Sequence, residues 1–224
     1  MTGERPALRG LYAITPIVQD TTALVAKVRA CLEGGAALVQ YRPKDLAPGL
    51  ALVQARALLA VCRAHGKPLI VNDSVELAAA IGADGVHLGR DDVDVREARI
   101  VLPHALIGAS CYADPARARD AARAGADYVG IGSVFPSRTK PAAVHAPLET
   151  IAAAREAGGL PVAAIGGIDA RNAPAAVDAG ADMLAVISAL FDAPDVRAAA
   201  EQFARLFKET SGGTRHVRTQ PRAV

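Results

Sequence analysis

The sequence predicts an α/β fold, a single (β/α)8 TIM barrel with parallel strands, and three observations support it. The chain has 224 residues, enough for one barrel of minimal size or for two small domains. Eight short apolar, β-branched runs alternate with eight longer Ala-rich segments of helical period, the pattern of βα units around a parallel sheet. The tripeptide Gly-Ala-Asp precedes the fourth, sixth and eighth runs, so the chain repeats in units of two strands. Four such units favour closure into a barrel.

The predicted elements follow in order along the chain. Strands are expected at the short apolar runs, residues 11–15, 37–42, 68–73, 85–89, 106–110, 128–135, 161–168 and 183–188. Helices are expected at the Ala-rich, charge-dotted segments, residues 21–33, 48–64, 75–81, 94–101, 114–123, 147–157, 171–178 and 194–208. An open doubly wound sheet is disfavoured, because the turn after the first run has no glycine for a phosphate-binding fingerprint. We predict one barrel domain, residues 1–209, and a disordered basic tail, residues 210–224.

Each Gly-Ala-Asp places its glycine just after a predicted helix. Glycine adopts the left-handed conformation of a helix C-cap at little steric cost. The aspartates of these tripeptides are therefore interpreted as turn residues on the structural face of the barrel.

Composition excludes several classes of protein. The last fourteen residues hold three arginines and no acid, so residues 1–210 carry 22 basic and 23 acidic groups, a net charge of −1. Without a basic excess and with 4% aromatic residues, a nucleic-acid partner is not expected, and we expect small-molecule chemistry. No run approaches the ~18 apolar residues of a membrane span.

The three cysteines, Cys31, Cys62 and Cys111, lack paired or metal-type spacing. This favours reduced thiols and a cytoplasmic location. The sequence leaves the oligomeric state open, including a homo-oligomer.

Active sites of such barrels lie at the carboxyl ends of the strands, so the residues that close each run are the candidates. The second run closes in Gln40-Tyr41-Arg42-Pro43-Lys44. Alternation places Gln40 and Arg42 on one face, with Lys44 beyond them in the loop. Two cations and an amide at one opening suit a polyphosphate. The alternative is that both cations are solvated loop charges.

Acidic residues follow the next two runs. The third run ends in Asn72-Asp73, and Asp91-Asp92 follows the fourth. Adjacent strands lie about 5 Å apart, so two carboxylates near incoming phosphates would suit Mg²⁺. Helix capping is the alternative role, because Asp73 opens a capping-box sequence and Asp92 or Asp94 could cap the next helix.

The remaining strand ends carry hydroxyls, cations and glycines. The candidates are Ser110, the loop Ser137-Arg138-Thr139-Lys140, the pair Gly166-Gly167, and Ile187-Ser188. Loops after strands seven and eight form the recurring phosphate site of these barrels, although the glycines could simply ease a tight turn. His87, within the fourth run, is interpreted as a packed, hydrogen-bonded side chain rather than a catalyst.

Together these segments resemble the thiamine phosphate synthase family over nearly the whole barrel. The resemblance is carried by Gln40-x-Arg42-x-Lys44, Asn72-Asp73, the segment 83–89, Asp127-Tyr128-Val129-Gly130, Ser137-x-Thr139-Lys140 and the segment 164–168. It implies an enzyme that joins a hydroxymethylpyrimidine diphosphate to a thiazole phosphate, with or without a carboxylate on the thiazole. The products are thiamine monophosphate and pyrophosphate, formed with Mg²⁺ through a pyrimidine cation.

The resemblance also assigns roles to residues. It implies that the pyrimidine diphosphate is held by Gln40, Arg42, Lys44, Asn72, Ser110 and Lys140, and the thiazole phosphate by Ser137, Arg138, Thr139, Gly167, Ile187 and Ser188. Tyr41 and Pro43 belong to the same binding segment. Asp73 and Asp92 would bind Mg²⁺, and Arg42, Lys44, Ser110 and Lys140 form the expected catalytic set.

Three positions depart from the family pattern, which commonly has Gln at Arg90, Thr at Ser137 and His at Tyr112. Arg90 adds a cation beside the expected metal site and could pair with Asp91 or Asp92. The nearest rival function is a related thiazole tautomerase, an isomerase that needs a proton-shuttling base and no diphosphate clamp. A non-catalytic barrel that senses thiamine precursors is the other alternative. Retention of the charged residues at the strand ends favours the synthase.

Overall fold

The computed structural model describes residues 8–136 and 144–209, in which eight parallel strands close into a barrel. The strands pair in chain order, and the eighth pairs with the first. They are Gly10–Ile14 (β1), Leu38–Tyr41 (β2), Leu69–Asn72 (β3), Gly85–Leu88 (β4), Leu106–Tyr112 (β5), Tyr128–Ile131 (β6), Val162–Ile165 (β7) and Met183–Val186 (β8). The predicted (β/α)8 barrel is confirmed.

Helices separate the strands and lie close to their predicted positions. They are Thr21–Glu33 (α1), Pro48–Ala64 (α2), Val75–Ile81 (α3), Val95–Val101 (α4), Pro115–Ala124 (α5), Glu149–Gly158 (α6), Ala173–Asp178 (α7), Ser188–Phe191 (α8) and Val196–Glu209 (α9). Helix α8 was not predicted, because four residues are too few to show a helical period. It lies at the carboxyl end of β8, on the side of the barrel where the candidate residues were expected.

Strands β6 and β7 end earlier than predicted, at Ile131 and Ile165. Beyond Ile131 the chain crosses the end of β7, where the N–H groups of Val134 and Phe135 donate to the carbonyls of Ile165 and Gly166 at 3.0 and 3.1 Å. These residues are apolar because the crossing segment is packed, and an apolar run alone does not distinguish a buried loop from a strand.

The core has two layers. Inside the barrel lie side chains that alternate along the strands, among them Tyr12, Ile14, Leu38, Ile70, Leu106, Tyr128 and Met183. The intervening residues, such as Leu11 and Ala13 of β1, pack outward against the helices. Both faces of each strand are therefore buried, as expected for a parallel barrel.

The Gly-Ala-Asp repeats join neighbouring strands at the amino-terminal face. Each aspartate side chain accepts a hydrogen bond from a backbone N–H of the preceding strand: Asp84 from Leu69 at 2.9 Å, Asp127 from Ile107 at 2.8 Å and Asp182 from Val162 at 2.9 Å. All three glycines have positive φ, as predicted. The aspartates are turn residues that bind strands together at the end opposite the candidate residues.

Two predictions fall on parts of the chain outside the described residues: the tail, 210–224, and the loop residues 137–140. Among the helices in residues 8–136 and 144–209, none combines the length and apolar character needed to cross a bilayer.

Candidate active site

A cavity of about 720 Å³ opens at the carboxyl ends of the strands, and every strand contributes to its wall. Eight residues predicted from the strand ends line it: Gln40, Arg42, Asn72, Ser110, Gly166, Gly167, Ile187 and Ser188. Barrel closure thus brings segments that are distant along the chain to one opening, as the sequence predicted.

Buried Thr15 fixes the strand end that carries Gln40 and Arg42. The N–H of Thr15 donates to the carbonyl of Gln40 at 2.9 Å, and its hydroxyl accepts the N–H of Arg42 at 3.0 Å. These two bonds tie the ends of β1 and β2 together. Gln40 and Arg42 therefore both face the cavity from a backbone held in place.

Asp73 and Asp92 are not part of the cavity wall, but Asp73 directly follows Asn72, which lines it, and the side chains of Asp73 and Asp92 interact with each other. Partial burial and the neighbouring Asp92 carboxylate raise the pKa of Asp73 to about 6, while Arg42 and Asn72 act in the opposite direction. A cation bound beside Asp73 and Asp92 would offset the effect of the Asp92 carboxylate and favour the ionised form of Asp73.

Neither aspartate caps a helix. Ser74 is the N-cap of α3 and accepts the N–H of Leu77 at 3.0 Å, and Asp94 is the N-cap of α4. The capping alternative for Asp73 and Asp92 is therefore excluded. Asp92 instead accepts the N–H of Gly89 at 2.6 Å, a bond that folds the β4–α4 loop back toward Asp73.

The donor set fits a hard divalent cation such as Mg²⁺. Within the described residues no group of three or more His, Cys, Asp and Glu forms a complete metal cage. Mg²⁺ is usually bound through one or two carboxylates, with water and substrate phosphates supplying the other ligands. Asp73, which follows cavity-lining Asn72 and lies near Arg42, and Asp92 match that arrangement.

Buried polar side chains form a line across the barrel, which the sequence did not reveal. The line runs from Gln40 through Tyr12, Tyr128 and His87 to Ser110, with hydrogen bonds of 2.7, 2.6, 3.1 and 2.9 Å between successive members. His87 is hydrogen-bonded, as predicted, but it also lines the cavity. Burial lowers the pKa of His87 to about 4, although Asp92 acts in the opposite direction, so the imidazole is neutral at physiological pH.

The opposite wall of the cavity is built from close-packed backbone. Gly166 and Gly167 have φ values of 101° and 63°, and a side chain at Gly167 would overlap Phe135 and Pro136. The glycines therefore serve the tight turn that the sequence offered as an alternative, and they also line the cavity beside Ile187 and Ser188.

The family comparison and the most similar curated proteins agree on one family. Residues 11–190 match the thiamine monophosphate synthase family. The chain is 56% identical over 199 residues to the thiamine-phosphate synthase of Thiobacillus denitrificans, covering 88% of this chain and 94% of that protein. It is 54% identical over 201 residues to that of Aromatoleum aromaticum, covering 89% and 97%. A solved thiamine phosphate pyrophosphorylase from Pyrococcus furiosus superposes with a TM-score of 0.81 at 37% identity, covering 91% of this chain and 98% of that one.

The chain belongs to the thiamine monophosphate synthase family. The matched region, residues 11–190, contains every site residue predicted from the sequence. The resemblance stated from the strand-end motifs is therefore confirmed.

For this member of the thiamine monophosphate synthase family, the prediction that the Tyr41 side chain contacts substrate is wrong. Tyr41 points out of the barrel, is buried against α2, and donates its hydroxyl to Gln54 at 2.9 Å. Strand alternation explains this, since Gln40 and Arg42 take the inner face. Lys44 is exposed in the loop after β2, and neither Lys44 nor Pro43 is part of the cavity wall. Ser137, Arg138, Thr139 and Lys140 lie outside the described residues.

Two of the departures from the family pattern contact each other. The guanidinium of Arg90 stacks on the ring of Tyr112, and the backbone N–H of Arg90 donates to the Tyr112 hydroxyl. The sequence left open a pairing of Arg90 with Asp91 or Asp92, and the contact that the structure shows for its guanidinium is this stacking. Arg117 of α5 lies near the same ring, 5.6 Å from its centre.

Proposed function

We propose that this chain is a thiamine-phosphate synthase, a transferase that moves the pyrimidinylmethyl group of a hydroxymethylpyrimidine diphosphate to the nitrogen of a thiazole phosphate. The observation that carries the proposal is the convergence of Gln40, Arg42, Asn72 and Ser110 on one cavity, with Asp73 directly after Asn72 and interacting with Asp92. Family membership and identities above 50% to proteins named thiamine-phosphate synthase support the same activity.

The reaction balances without a general base. The C–O bond between the pyrimidine methylene and the diphosphate breaks, and its electron pair leaves with pyrophosphate. The thiazole nitrogen then gives its lone pair to the methylene carbon and forms the new C–N bond. The protein has to stabilise charge that develops on the leaving group and keep water from the cation.

The residues of the cavity suit these tasks. Arg42 offers a planar fork to phosphate oxygens, and Asn72 and Ser110 add neutral hydrogen-bonding groups. We assign Lys44, in the loop after β2, and Lys140 to the same leaving group. Asp73 and Asp92 would hold Mg²⁺, which supplies charge neutralisation to the diphosphate when bound. Apolar Ile14, Ile165 and Ile187 line the cavity and limit the access of water.

The thiazole phosphate is assigned to the glycine-rich side of the cavity. Gly167, Ile187 and Ser188 line that side, and the segment 137–140 precedes it in the chain. The two substrates would then meet between β5 and β8, with Ser110 on one side and Ser188 on the other. The proposal includes a cytoplasmic location, which the three free, buried cysteines support.

The test is a coupled assay with the full chain, both substrates, and Mg²⁺ present or removed by chelation. We expect release of pyrophosphate together with thiamine phosphate, and loss of both without Mg²⁺. Arg42→Gln should lower the rate about 100-fold, as loss of a charge-stabilising group does. Arg56→Gln, on the exposed face of α2, is the matched control and should leave the rate unchanged.

Two other outcomes would overturn the proposal. Interconversion of thiazole tautomers with no diphosphate requirement would identify an isomerase. Binding of both substrates without turnover would identify a sensor of precursors.

A further inference from the structure

Two tyrosine hydroxyls lie fully inside the barrel, in a place where other strands supply Ile, Leu, Met and Ala. Tyr12 and Tyr128 are 1% and 0% exposed, and their hydroxyls are 2.6 Å apart. Phenylalanine would fill the same volume without a buried hydroxyl that needs partners. The hydroxyls are therefore a feature that packing alone does not explain.

Glycines in the backbone leave room for the line of hydrogen-bonded side chains that runs from Gln40 to Ser110. A side chain at Gly108 of β5 would overlap the Tyr128 ring and the His87 imidazole. A side chain at Gly130 of β6 would contact the same imidazole at 3.4 Å. Two glycines on neighbouring strands thus leave the space in which His87 reaches both Tyr128 and Ser110.

Each hydroxyl and the neutral imidazole can donate only one hydrogen, and this fixes the direction of the hydrogen bonds along the line. The amide Nε2 of Gln40 donates to the Tyr12 hydroxyl at 2.7 Å, so the single hydrogen of Tyr12 is directed to Tyr128. Tyr128 then accepts from Tyr12 and gives its own hydrogen to Nδ1 of His87. A neutral imidazole whose Nδ1 accepts carries its hydrogen on Nε2, which donates to Ser110.

We propose that Tyr12 and Tyr128 are positioning residues that hold His87 in its Nε2–H tautomer, so that Ser110 turns its hydroxyl hydrogen into the cavity. This inference deepens the proposed function, because the oxygens of a diphosphate and the ring nitrogens of a pyrimidine are acceptors and need donors. If the Gln40 amide were turned over, every bond in the line would reverse. Ser110 would then offer only a lone pair to the same ligand.

The tautomer is measured directly by two-bond ¹H–¹⁵N correlation of the ligand-free full chain with ¹⁵N-labelled histidine. His87 is assigned by comparison with His87→Gln. We expect a protonated Nε2 and an unprotonated Nδ1 at pH 7. A protonated Nδ1, or a doubly protonated ring, would overturn the proposal without any variant being needed.

Tyr128→Phe tests the positioning role. It should move His87 toward a mixture of tautomers and lower kcat about tenfold, the worth of one buried hydrogen bond, with KM for the thiazole phosphate unchanged. Tyr41→Phe is the control for His87, since it removes another buried tyrosine hydroxyl, bonded to Gln54 outside the barrel, and should leave the His87 spectrum unaltered. An unchanged spectrum and kcat in Tyr128→Phe would overturn the role.

The two proposals fail separately. The predicted tautomer without thiamine phosphate formation would overturn the function and leave the hydrogen-bond direction standing. Synthesis with the opposite tautomer would overturn only the direction.

Discussion

The guanidinium carbon of Arg90 lies 4.7 Å from the centre of the Tyr112 ring, and the Arg90 N–H donates to the Tyr112 hydroxyl at 3.2 Å. This pair joins the β4–α4 loop, which carries Asp92, to the end of β5, which carries Ser110. Tyr112 itself has a φ of 55°, in the left-handed region, and follows an irregularity in the pairing of β5 with β6. The contact therefore connects the proposed metal site to the wall of the cavity.

Tyr112→Phe should raise the Mg²⁺ concentration for half-maximal activity a few-fold. Phenylalanine keeps the stacking surface for Arg90 but loses the acceptor for its N–H, and one hydrogen bond contributes about 1 kcal/mol. The loop that positions Asp92 would then be held less firmly. A Mg²⁺ titration of the initial rate measures the effect, and amide hydrogen exchange of residues 89–92 should become faster in the same variant.

Arg90→Gln is the comparison for this prediction. It removes the guanidinium and keeps the backbone N–H that bonds to Tyr112, so its effect on the Mg²⁺ titration should be smaller. An equal or larger effect would mean that the guanidinium, and not the hydrogen bond, holds the loop.

Asp73→Asn should abolish stabilisation by Mg²⁺ and lower activity about 100-fold. In the folded chain the pKa of Asp73 is about 6, above its ordinary value of 3.8, so without metal its ionisation costs stability as pH rises from about 4 through 6. Removing the charge should therefore raise the melting temperature at pH 7.5 in chelator. Thermal melts with and without Mg²⁺ check both effects.

Asp91→Asn, in the exposed part of the β4–α4 loop next to Asp92, is the matched control. It should keep the Mg²⁺-dependent rise in melting temperature. If Asp73→Asn kept that rise as well, Asp73 would not be a metal ligand.

The sequence predicted the position of a site residue only where it also indicated whether the side chain faces into or out of the barrel. Polar residues that close apolar runs were found at one opening because parallel strands bring their carboxyl ends together. Tyr12 and Tyr128 could not be placed, because both faces of these strands are buried and a lone tyrosine in an apolar run is compatible with either. Tyr41 was assigned to the binding segment together with its chain neighbours, although alternation from Gln40 and Arg42 pointed it outward.

Contacts between distant segments were beyond sequence reasoning of this kind. Arg90 and Tyr112 were each noted as unusual, but their stacking depends on how the β4–α4 loop folds over β5. Asp73 opens a capping-box sequence, and only the structure shows that the N-cap of α3 is Ser74, which leaves the Asp73 carboxyl group to interact with Asp92.

The three cysteines should not react with thiol reagents in the folded protein. Cys31, Cys62 and Cys111 are 0 to 1% exposed, and burial raises the pKa of each thiol to about 12. At pH 8 the reactive thiolate is therefore scarce as well as inaccessible. Mass spectrometry after maleimide treatment should find no labelled cysteine in native protein and three in urea. Rapid native labelling at Cys111, near the cavity, would show that the end of β5 opens in solution.

Asp84→Ala should destabilise the barrel by about 1–3 kcal/mol without changing the catalytic constants. The Asp84 side chain accepts the N–H of Leu69 at the start of β3, and its loss leaves that partly buried donor unpaired. Asp84→Asn retains an acceptor oxygen and should therefore be less destabilised than Asp84→Ala. Asp178→Ala, on the exposed end of α7, should stay within about 0.5 kcal/mol of the native protein. Urea unfolding ranks the free energies of unfolding of the three variants. Equal stability of Asp84→Ala and Asp178→Ala would show that the aspartate of this Gly-Ala-Asp tripeptide does not hold the strands together.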